Sequence, residues 1–150
     1  MSIAKRSLYD KCLLQVNERI ASLEKEMQAL KVSAESDTKS SMGDKYETST
    51  EMINLEKGKI AEQLGEATRM KRTLGTLDLD KSFTDCQLGS LVKTENASYY
   101  LATSIGKIDI GETTYFVISP ISPIGQQLLG KQVGDCINFG GKKASIIKVD

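Results

Sequence analysis

The first half of the chain carries apolar residues at a seven-residue period. In the first run they alternate in steps of three and four, like the a and d positions of a coiled coil. These positions are Leu13, Val16, Ile20, Leu23, Met27 and Leu30. In a second run every seventh position can pack in the same way, at Tyr46, Ile53, Ile60, Ala67 and Leu74. Neither run is apolar on all sides, so we expect two long helices that pack on each other as an antiparallel hairpin.

A polar stretch from Ala34 to Met52 separates the two runs and reads AESDTKSSMGDKYETSTEM. We expect this stretch to form the turn of the hairpin, with the tip near residues 35–47. Gly43 gives the backbone freedom for a sharp reversal. The acidic residues of the tip would then stand at the end of the hairpin.

The pattern changes after Gly75, which is followed by both prolines and most of the glycines. Short β-branched and aromatic runs now alternate with turn signals. They predict strands at 88–93, 97–103, 113–119, 136–139 and 145–149. Ser122 and Pro123 are typical of a helix start, and Gly130 of its end. We therefore predict an α+β protein, with a coiled-coil hairpin over residues 1–76 and a small, mostly antiparallel β-sheet domain with one short helix over residues 77–150.

The composition argues against several classes of function. The net charge is zero with 27% charged residues, which does not suit a protein that binds nucleic acid mainly by neutralising phosphates. The chain has no histidine, so imidazole catalysis is excluded. The three cysteines form no CxxC motif, so we expect apolar filler rather than a disulfide framework or a zinc site. No apolar segment suits export or a membrane span, which predicts a cytoplasmic protein.

The segment ISPISPIGQQLLGKQVGDCINFGG, followed by SIIKV, resembles the C-terminal signature of the bacterial GreA/GreB transcript-cleavage factors. In that family a Ser-Pro pair opens a short helix that ends in Leu-Leu/Ile-Gly-Lys. An acidic turn, a strand, a Gly-Gly turn and a last strand follow. The resemblance covers the whole chain, because a coiled-coil hairpin precedes a domain that resembles the FKBP fold. The chain is thus similar to a short, divergent Gre-like protein.

This resemblance implies a regulator of bacterial RNA polymerase rather than an enzyme. Such a factor inserts its coiled coil into the secondary channel of the polymerase, and its tip carboxylates help to hold a catalytic Mg²⁺ there. Mg²⁺ prefers hard oxygen ligands and stabilises the attacking and leaving oxygens of a displacement. The resemblance further implies a monomer with no cofactor of its own, no membrane contact and only indirect contact with nascent RNA or DNA.

The tip departs from the family pattern, which reads Gly-Asp-Leu-Lys/Arg-Glu-Asn-Ala/Ser-Glu-Tyr. Aligned on Tyr46, the chain has Lys39 and Met42 where the two key acids stand. Asp37, Asp44 and Glu47 are the candidate catalytic residues that remain, with Asp37 and Asp44 as candidate Mg²⁺ ligands. The alternative for Asp37 or Asp44 is a helix cap. Two functions stay open: stimulation of the cleavage of backtracked RNA, or occupation of the channel without cleavage.

The segment Ser119–Lys131 is the expected contact with the polymerase, because a proline-containing loop beside a short helix is rigid and exposed. The candidate partner-binding residues are Ser122, Gln126 and Lys131. The alternative is that the apolar members of the segment only pack on the sheet; these are Ile121, Ile124, Leu128 and Leu129. Competing functions are a prolyl isomerase with an aromatic pocket and a coiled-coil adaptor or holdase with another partner.

Overall fold

A computed structural model describes residues 3–40 and 43–150 of the chain, with side chains described for residues 3–35 and 50–150. Two long helices come first, α1 (Ile3–Ser40) and α2 (Gly43–Gly75). They are followed by β1 (Leu91–Thr94), β2 (Ser98–Leu101), β3 (Gly106–Ile110), β4 (Thr113–Ile118), α3 (Pro123–Leu128), β5 (Cys136–Phe139) and β6 (Lys142–Val149). This order of elements confirms the predicted α+β class, with two long helices ahead of a sheet that carries one short helix.

The described chain divides into two compact units. The helical unit is Gln15–Lys71, and the sheet unit contains the chain up to Leu14 together with Arg72–Asp150. The start of α1 and the end of α2 therefore belong to the sheet unit. The division into domains at residues 76 and 77 stays a prediction. None of the helices in the described residues is long and apolar enough to cross a membrane.

The helical unit has the predicted seam. Leu23, Ile60 and Ala67 are buried in one cluster, against which the half-buried Ile20, Met27, Leu30 and Leu64 pack. Because the cluster draws on two helices that follow each other directly, α1 and α2 run antiparallel. Tyr46 lies outside the described side chains. The two helices are longer than expected, since α1 continues to Ser40 and α2 begins at Gly43. The polar residues up to Ser40 and from Gly43 onward are therefore helical, and the position of the tip near residues 35–47 stays a prediction.

Six strands form one sheet in the order β3-β4-β2-β1-β6-β5. All neighbours are antiparallel except β2 and β4, which are parallel. Three of the six strands, β2, β4 and β5, overlap the predicted ones closely. Strand β1 begins three residues later than predicted, at Leu91, and β6 begins three residues earlier, at Lys142. Strand β3 is absent from the predicted set, because the sequence signals a turn over Asp109–Glu112 and the first two of these residues belong to the strand. The turn lies instead at Gly111, whose φ of 61° favours glycine.

One face of the sheet packs on α3. Ile124 and Leu128 of the helix share a buried cluster with side chains of four strands: Val92, Leu101, Ile137, Ala144 and Ile146. Successive strand residues point to opposite faces, so Val92 and Leu101 face this cluster while Leu91 and Tyr100 point away. We call the side of the sheet that carries α3 the helix-covered face.

The opposite face of the sheet lies near the start of α1. Lys11 Nζ donates a hydrogen bond to the Asp109 carbonyl oxygen at 2.8 Å. Tyr100 is completely buried, and burial raises the pKa of its phenol, with smaller contributions from Cys12 and Tyr9. The first turns of α1 thus pack on the sheet unit, and the residues that do so include Leu8 and Cys12, both fully buried.

The cysteines differ in exposure, which leads to a simple prediction. Cys12 and Cys86 are buried, as expected of apolar filler, whereas Cys136 is exposed, so the filler interpretation is wrong for it. Burial raises the pKa of Cys12 to about 12 and, with help from Asp85 and Asp135, that of Cys86 to about 11. We expect a disulfide reagent at neutral pH to modify one thiol of the native protein quickly and the other two only on unfolding. The Cys136→Ser variant should lack the fast phase; if it keeps this phase, the assignment is wrong.

Candidate functional site

The tip acids occupy known backbone positions, but their side chains lie outside the described part of the structure. Asp37 belongs to the last turn of α1, whereas Asp44 and Glu47 lie in the first turns of α2. A carboxylate near a helix N-terminus is stabilised by the helix dipole, and this holds for Asp44 and Glu47 whether or not they bind metal. Their catalytic and Mg²⁺-binding roles stay predictions. Among the side chains that are described, no group of three acids or cysteines is placed to hold a metal ion.

The described residues next to the tip include three exposed apolar side chains that sequence reasoning missed. Val32 on α1 and Met52 and Leu55 on α2 are 56%, 65% and 63% exposed. Glu35 and Glu51 are exposed close to them in sequence. The signal was present, because these three apolar residues fall off the seven-residue seam. The end of the hairpin therefore presents aliphatic as well as acidic side chains.

The segment expected to contact the polymerase is held by local hydrogen bonds around Ser122. This residue caps α3: its Oγ accepts a hydrogen bond from the Gly125 amide at 3.1 Å and donates one to the Ser119 carbonyl oxygen at 2.6 Å. Pro123 follows at the first helical position, where its missing N–H costs nothing. The hydroxyl of Ser122 is thus occupied within the segment.

Gly125 is required by the close approach of the loop before α3. A Cβ atom at this position would lie 2.2 Å from the carbonyl oxygen of Ser119, far inside the contact distance. The same atom would lie 2.8 Å from Ser122 Oγ. Gly125 therefore lets the first turn of α3 fold onto the Ser-Pro loop.

The far end of the segment is tied to the loop before β1. The Cys86 amide donates to the Lys131 carbonyl oxygen at 2.8 Å, and the Gly130 amide donates to the Cys86 carbonyl oxygen at the same distance. Gln126 is exposed, and its Nε2 donates to the Ile121 carbonyl oxygen at 2.9 Å. The segment is therefore anchored at both ends, which supports a rigid surface. The partner-binding roles of Ser122, Gln126 and Lys131 stay predictions.

The apolar residues of the segment divide into two groups. Ile124 and Leu128 are buried against the sheet, as the packing alternative requires. Ile121 and Leu129, by contrast, are 81% and 44% exposed. Val133, two residues beyond the segment, is 58% exposed. Ile121 is thus a contact candidate that the packing alternative placed on the sheet.

A cavity with a volume of ≈ 190 Å³ opens on the helix-covered face. Its lining includes Tyr99 and Phe139, together with Thr94, Asn96, Ile137, Lys142 and Ala144. The Phe116 ring lies 6.0 Å from the ring of Tyr99, centre to centre. Phe116 and Phe139 are 38% and 49% exposed, whereas Tyr100 and Phe83 are buried. The sheet unit therefore uses some of its aromatic side chains for the core and leaves others available to a ligand.

Solved structures similar to this chain align over nearly its whole length. The GreA factor homolog 1 (Gfh1) protein of Thermus thermophilus is 20% identical, and the match covers 95% of this chain and 94% of that chain with a TM-score of 0.36. A structure of the transcription factor Gfh1 is also 20% identical, over 94% of this chain and 92% of that chain, with a TM-score of 0.35. No protein-family model matches the chain, and no curated protein does. At this level of likeness, function has to be argued from the residues of this chain.

Proposed function

We propose that the chain is a Gre-like regulator of bacterial RNA polymerase, which inserts its hairpin tip into the secondary channel and contacts the polymerase through the sheet unit. The observation that carries the proposal is the structural role of each signature residue. Ser122 caps α3, Pro123 begins it, and Gly125 permits the close loop. Gly130 and the pair Gly140-Gly141 have the positive φ angles that such turns need. The signature is thus supported by geometry as well as by residue type.

The tip acids are the part of the chain that would act on catalysis. Asp37, Asp44 and Glu47 supply carboxylate oxygens, the ligand type that Mg²⁺ prefers, so the donor set fits the ion chemically. Bound Mg²⁺ stabilises the negative charge that develops in phosphoryl transfer. A single surface carboxylate holds Mg²⁺ weakly, so these acids act as completing ligands or as competitors inside the complex. The protein regulates, and the polymerase remains the enzyme.

Lys39 and Met42 distinguish two forms of this function. With a cation and a thioether at the positions of the two key acids, stimulation of cleavage has to come from Asp37, Asp44 and Glu47. Without that contribution, the hairpin occupies the channel and inhibits. A transcript-cleavage assay on a halted, backtracked elongation complex separates the two, since only the first shortens the RNA. If the protein neither binds the polymerase nor alters transcription, the proposal is wrong.

The Asp44→Asn substitution tests the tip, since it removes the charge and roughly preserves the volume. We expect it to weaken the catalytic effect, whether stimulation or inhibition, by about tenfold, as for the loss of one group supporting a metal site. Polymerase affinity should stay the same. Glu51→Gln is the matched control, because Glu51 is exposed on the same helix and lies beyond the tip. If Asp44→Asn stimulates or inhibits as strongly as the parent, the hairpin acts only by filling the channel.

A prolyl isomerase is the second candidate, and the cavity beside Tyr99 and Phe139 is the observation that favours it. Aromatic side chains give an apolar wall on which a proline ring can pack. The measurement is the cis–trans isomerisation rate of a short proline peptide with the full chain, compared with the Phe139→Ala variant. A rate enhancement that Phe139→Ala abolishes would support this candidate over the channel regulator.

A further inference from the structure

A row of four polar side chains crosses the sheet on the face opposite α3. Lys148 of β6 lies directly opposite Lys93 of β1, Lys93 lies opposite Ser98 of β2, and Ser98 lies opposite Tyr115 of β4. Directly paired residues on neighbouring strands point to the same face, about 5 Å apart. We call these four residues the donor row, because every one of them can donate a hydrogen bond.

The donor row lines one cavity of the sheet unit. The volume of this cavity is ≈ 200 Å³. Its wall consists of the four residues of the row with Ala4, Leu91, Val92 and Asp150. A tetrahedral oxyanion fits within such a volume, and one side of the cavity offers it two ammonium groups and two hydroxyls.

The donors of the row have no partners of their own in the described part of the chain. No ion pair within residues 3–35 and 50–150 involves Lys93 or Lys148. Likewise, no side-chain hydrogen bond identified among the described residues uses Ser98 Oγ or Tyr115 Oη. Like charges placed directly opposite each other on neighbouring strands are destabilising. An anion between the two lysines would turn this repulsion into attraction.

Asp150 is the one acid in the wall, and it is coupled to a different lysine. Lys5 Nζ donates to the Asp150 carbonyl oxygen at 3.0 Å. The Asp150 charge also acts on Lys5, where it opposes the lowering of the pKa that burial causes. The two lysines of the row outnumber this one acid, so the side chains that line the cavity carry a net positive charge.

We propose that the donor row binds a phosphate group, either as inorganic phosphate or as the phosphate of a small phosphomonoester. Phosphate oxygens accept several charge-assisted hydrogen bonds at once, which matches two adjacent lysines followed along the row by two hydroxyls. A carboxylate offers only two oxygens and would leave part of the row unpaired. This binding site goes beyond the proposed action on the polymerase and does not depend on it.

The test is a titration of the isotope-labelled full chain with inorganic phosphate at constant ionic strength, followed by the amide NMR shifts of Lys93, Ser98 and Lys148. We expect saturable shifts at these residues. Lys93→Gln and Lys148→Gln should each weaken binding by about tenfold, the lower end of the range for one hydrogen bond to a charged group. Lys143→Gln is the matched control, because Lys143 is an exposed lysine of β6 outside the row, and it should leave the affinity unchanged.

The melting temperature with and without phosphate is a second measurement, and it also shows whether the variants are folded. Phosphate should raise the melting temperature of the parent and of Lys143→Gln but not that of the double variant Lys93→Gln/Lys148→Gln. Ribose 5-phosphate then distinguishes the two sources: tighter binding than inorganic phosphate assigns the site to a phosphomonoester, and weaker binding assigns it to the free ion. Shifts that do not saturate, or equal weakening by Lys143→Gln, would overturn the proposal.

Discussion

Replacing Gly125 with alanine is expected to destabilise the sheet unit by about 3 kcal/mol, in the upper range for overpacking at a buried position. The new Cβ atom would stand 2.2 Å from the Ser119 carbonyl oxygen and 3.0 Å from the carbonyl carbon of Pro120. Both are backbone atoms, so the loop itself has to move. That movement breaks the hydrogen bonds that Ser119 accepts from the hydroxyl and the amide of Ser122. Chemical denaturation should show a lower midpoint.

Gly58→Ala is the matched control, because Gly58 lies in α2 and a Cβ atom added to it would meet nothing within 4 Å. Alanine is favoured over glycine inside a helix by about 1 kcal/mol, so this variant should be slightly more stable than the parent. If Gly125→Ala is as stable as the parent while Gly58→Ala behaves as expected, Gly125 does not lie as close to the Ser119 carbonyl oxygen as the structure has it. A drop in polymerase affinity for Gly125→Ala alone would further assign the docking surface to this segment.

The sequence predicts best those elements that local rules determine. The seven-residue seam specifies which faces of α1 and α2 meet, and the buried positions Leu23, Ile60 and Ala67 all belong to it. The Ser122–Pro123 pair likewise specifies the start of α3, since a cap and a proline at the first position act within one turn. Neither prediction needs knowledge of distant partners.

The features that sequence reasoning misses depend on tertiary partners. Strand β3 reads Gly-Lys-Ile-Asp-Ile, whose two apolar residues are too few to signal a strand without its partner β4. The parallel pairing of β2 with β4 depends on that missing strand. In sequence, β3 comes after β2 and runs in the opposite direction, so that β4 can begin where β2 began and run parallel to it. The two long helices extend further towards the tip than the apolar pattern predicts. The polar residues there include good helix formers and no proline, so the helices continue although the apolar seam has ended.

Among the candidate site residues, the sequence identifies the segment but not the exposure of its members. The spacing in Ser119–Lys131 indicates that α3 has one buried side, yet Ile121 and Leu129 fall beside rather than on it. Which aliphatic residues face solvent depends on the sheet beneath the helix, and the sequence of the segment does not contain that information. The exposure of Cys136, on the outermost strand β5, has the same origin.

Lys5 is the clearest case of a residue whose type misleads, since lysine side chains are almost never fully buried and that of Lys5 is only 1% exposed. Its Nζ donates to the carbonyl oxygens of Lys81 and Asp150 at 3.2 and 3.0 Å, and it lies 4.9 Å from the centre of the Phe83 ring. Lys5→Ala removes the packed stem and leaves both carbonyls without this donor. We expect a loss of about 3 kcal/mol in the free energy of unfolding, from the stem and the two lost hydrogen bonds together.

Lys5→Met keeps most of the stem and removes the titrating group, so it isolates the effect of charge. Burial lowers the pKa of Lys5 below its ordinary 10.5, against opposing contributions from Asp150 and Asp78. Between the folded pKa and 10.5, the unfolded chain therefore holds a proton that the folded chain has released, and stability rises with pH. Below that range both states are charged, and the cost of burying the charge is constant.

We expect the difference in the free energy of unfolding between the parent and Lys5→Met to change as the pH is raised. The free energy of unfolding of the parent should increase relative to that of Lys5→Met as the pH approaches 10.5. The measurement is a series of urea denaturation curves for both proteins at closely spaced pH values, in which the titrations shared by the two proteins cancel. A difference that stays constant, or that moves in favour of Lys5→Met at high pH, would show that Lys5 is not buried as a charged group against Lys81 and Asp150.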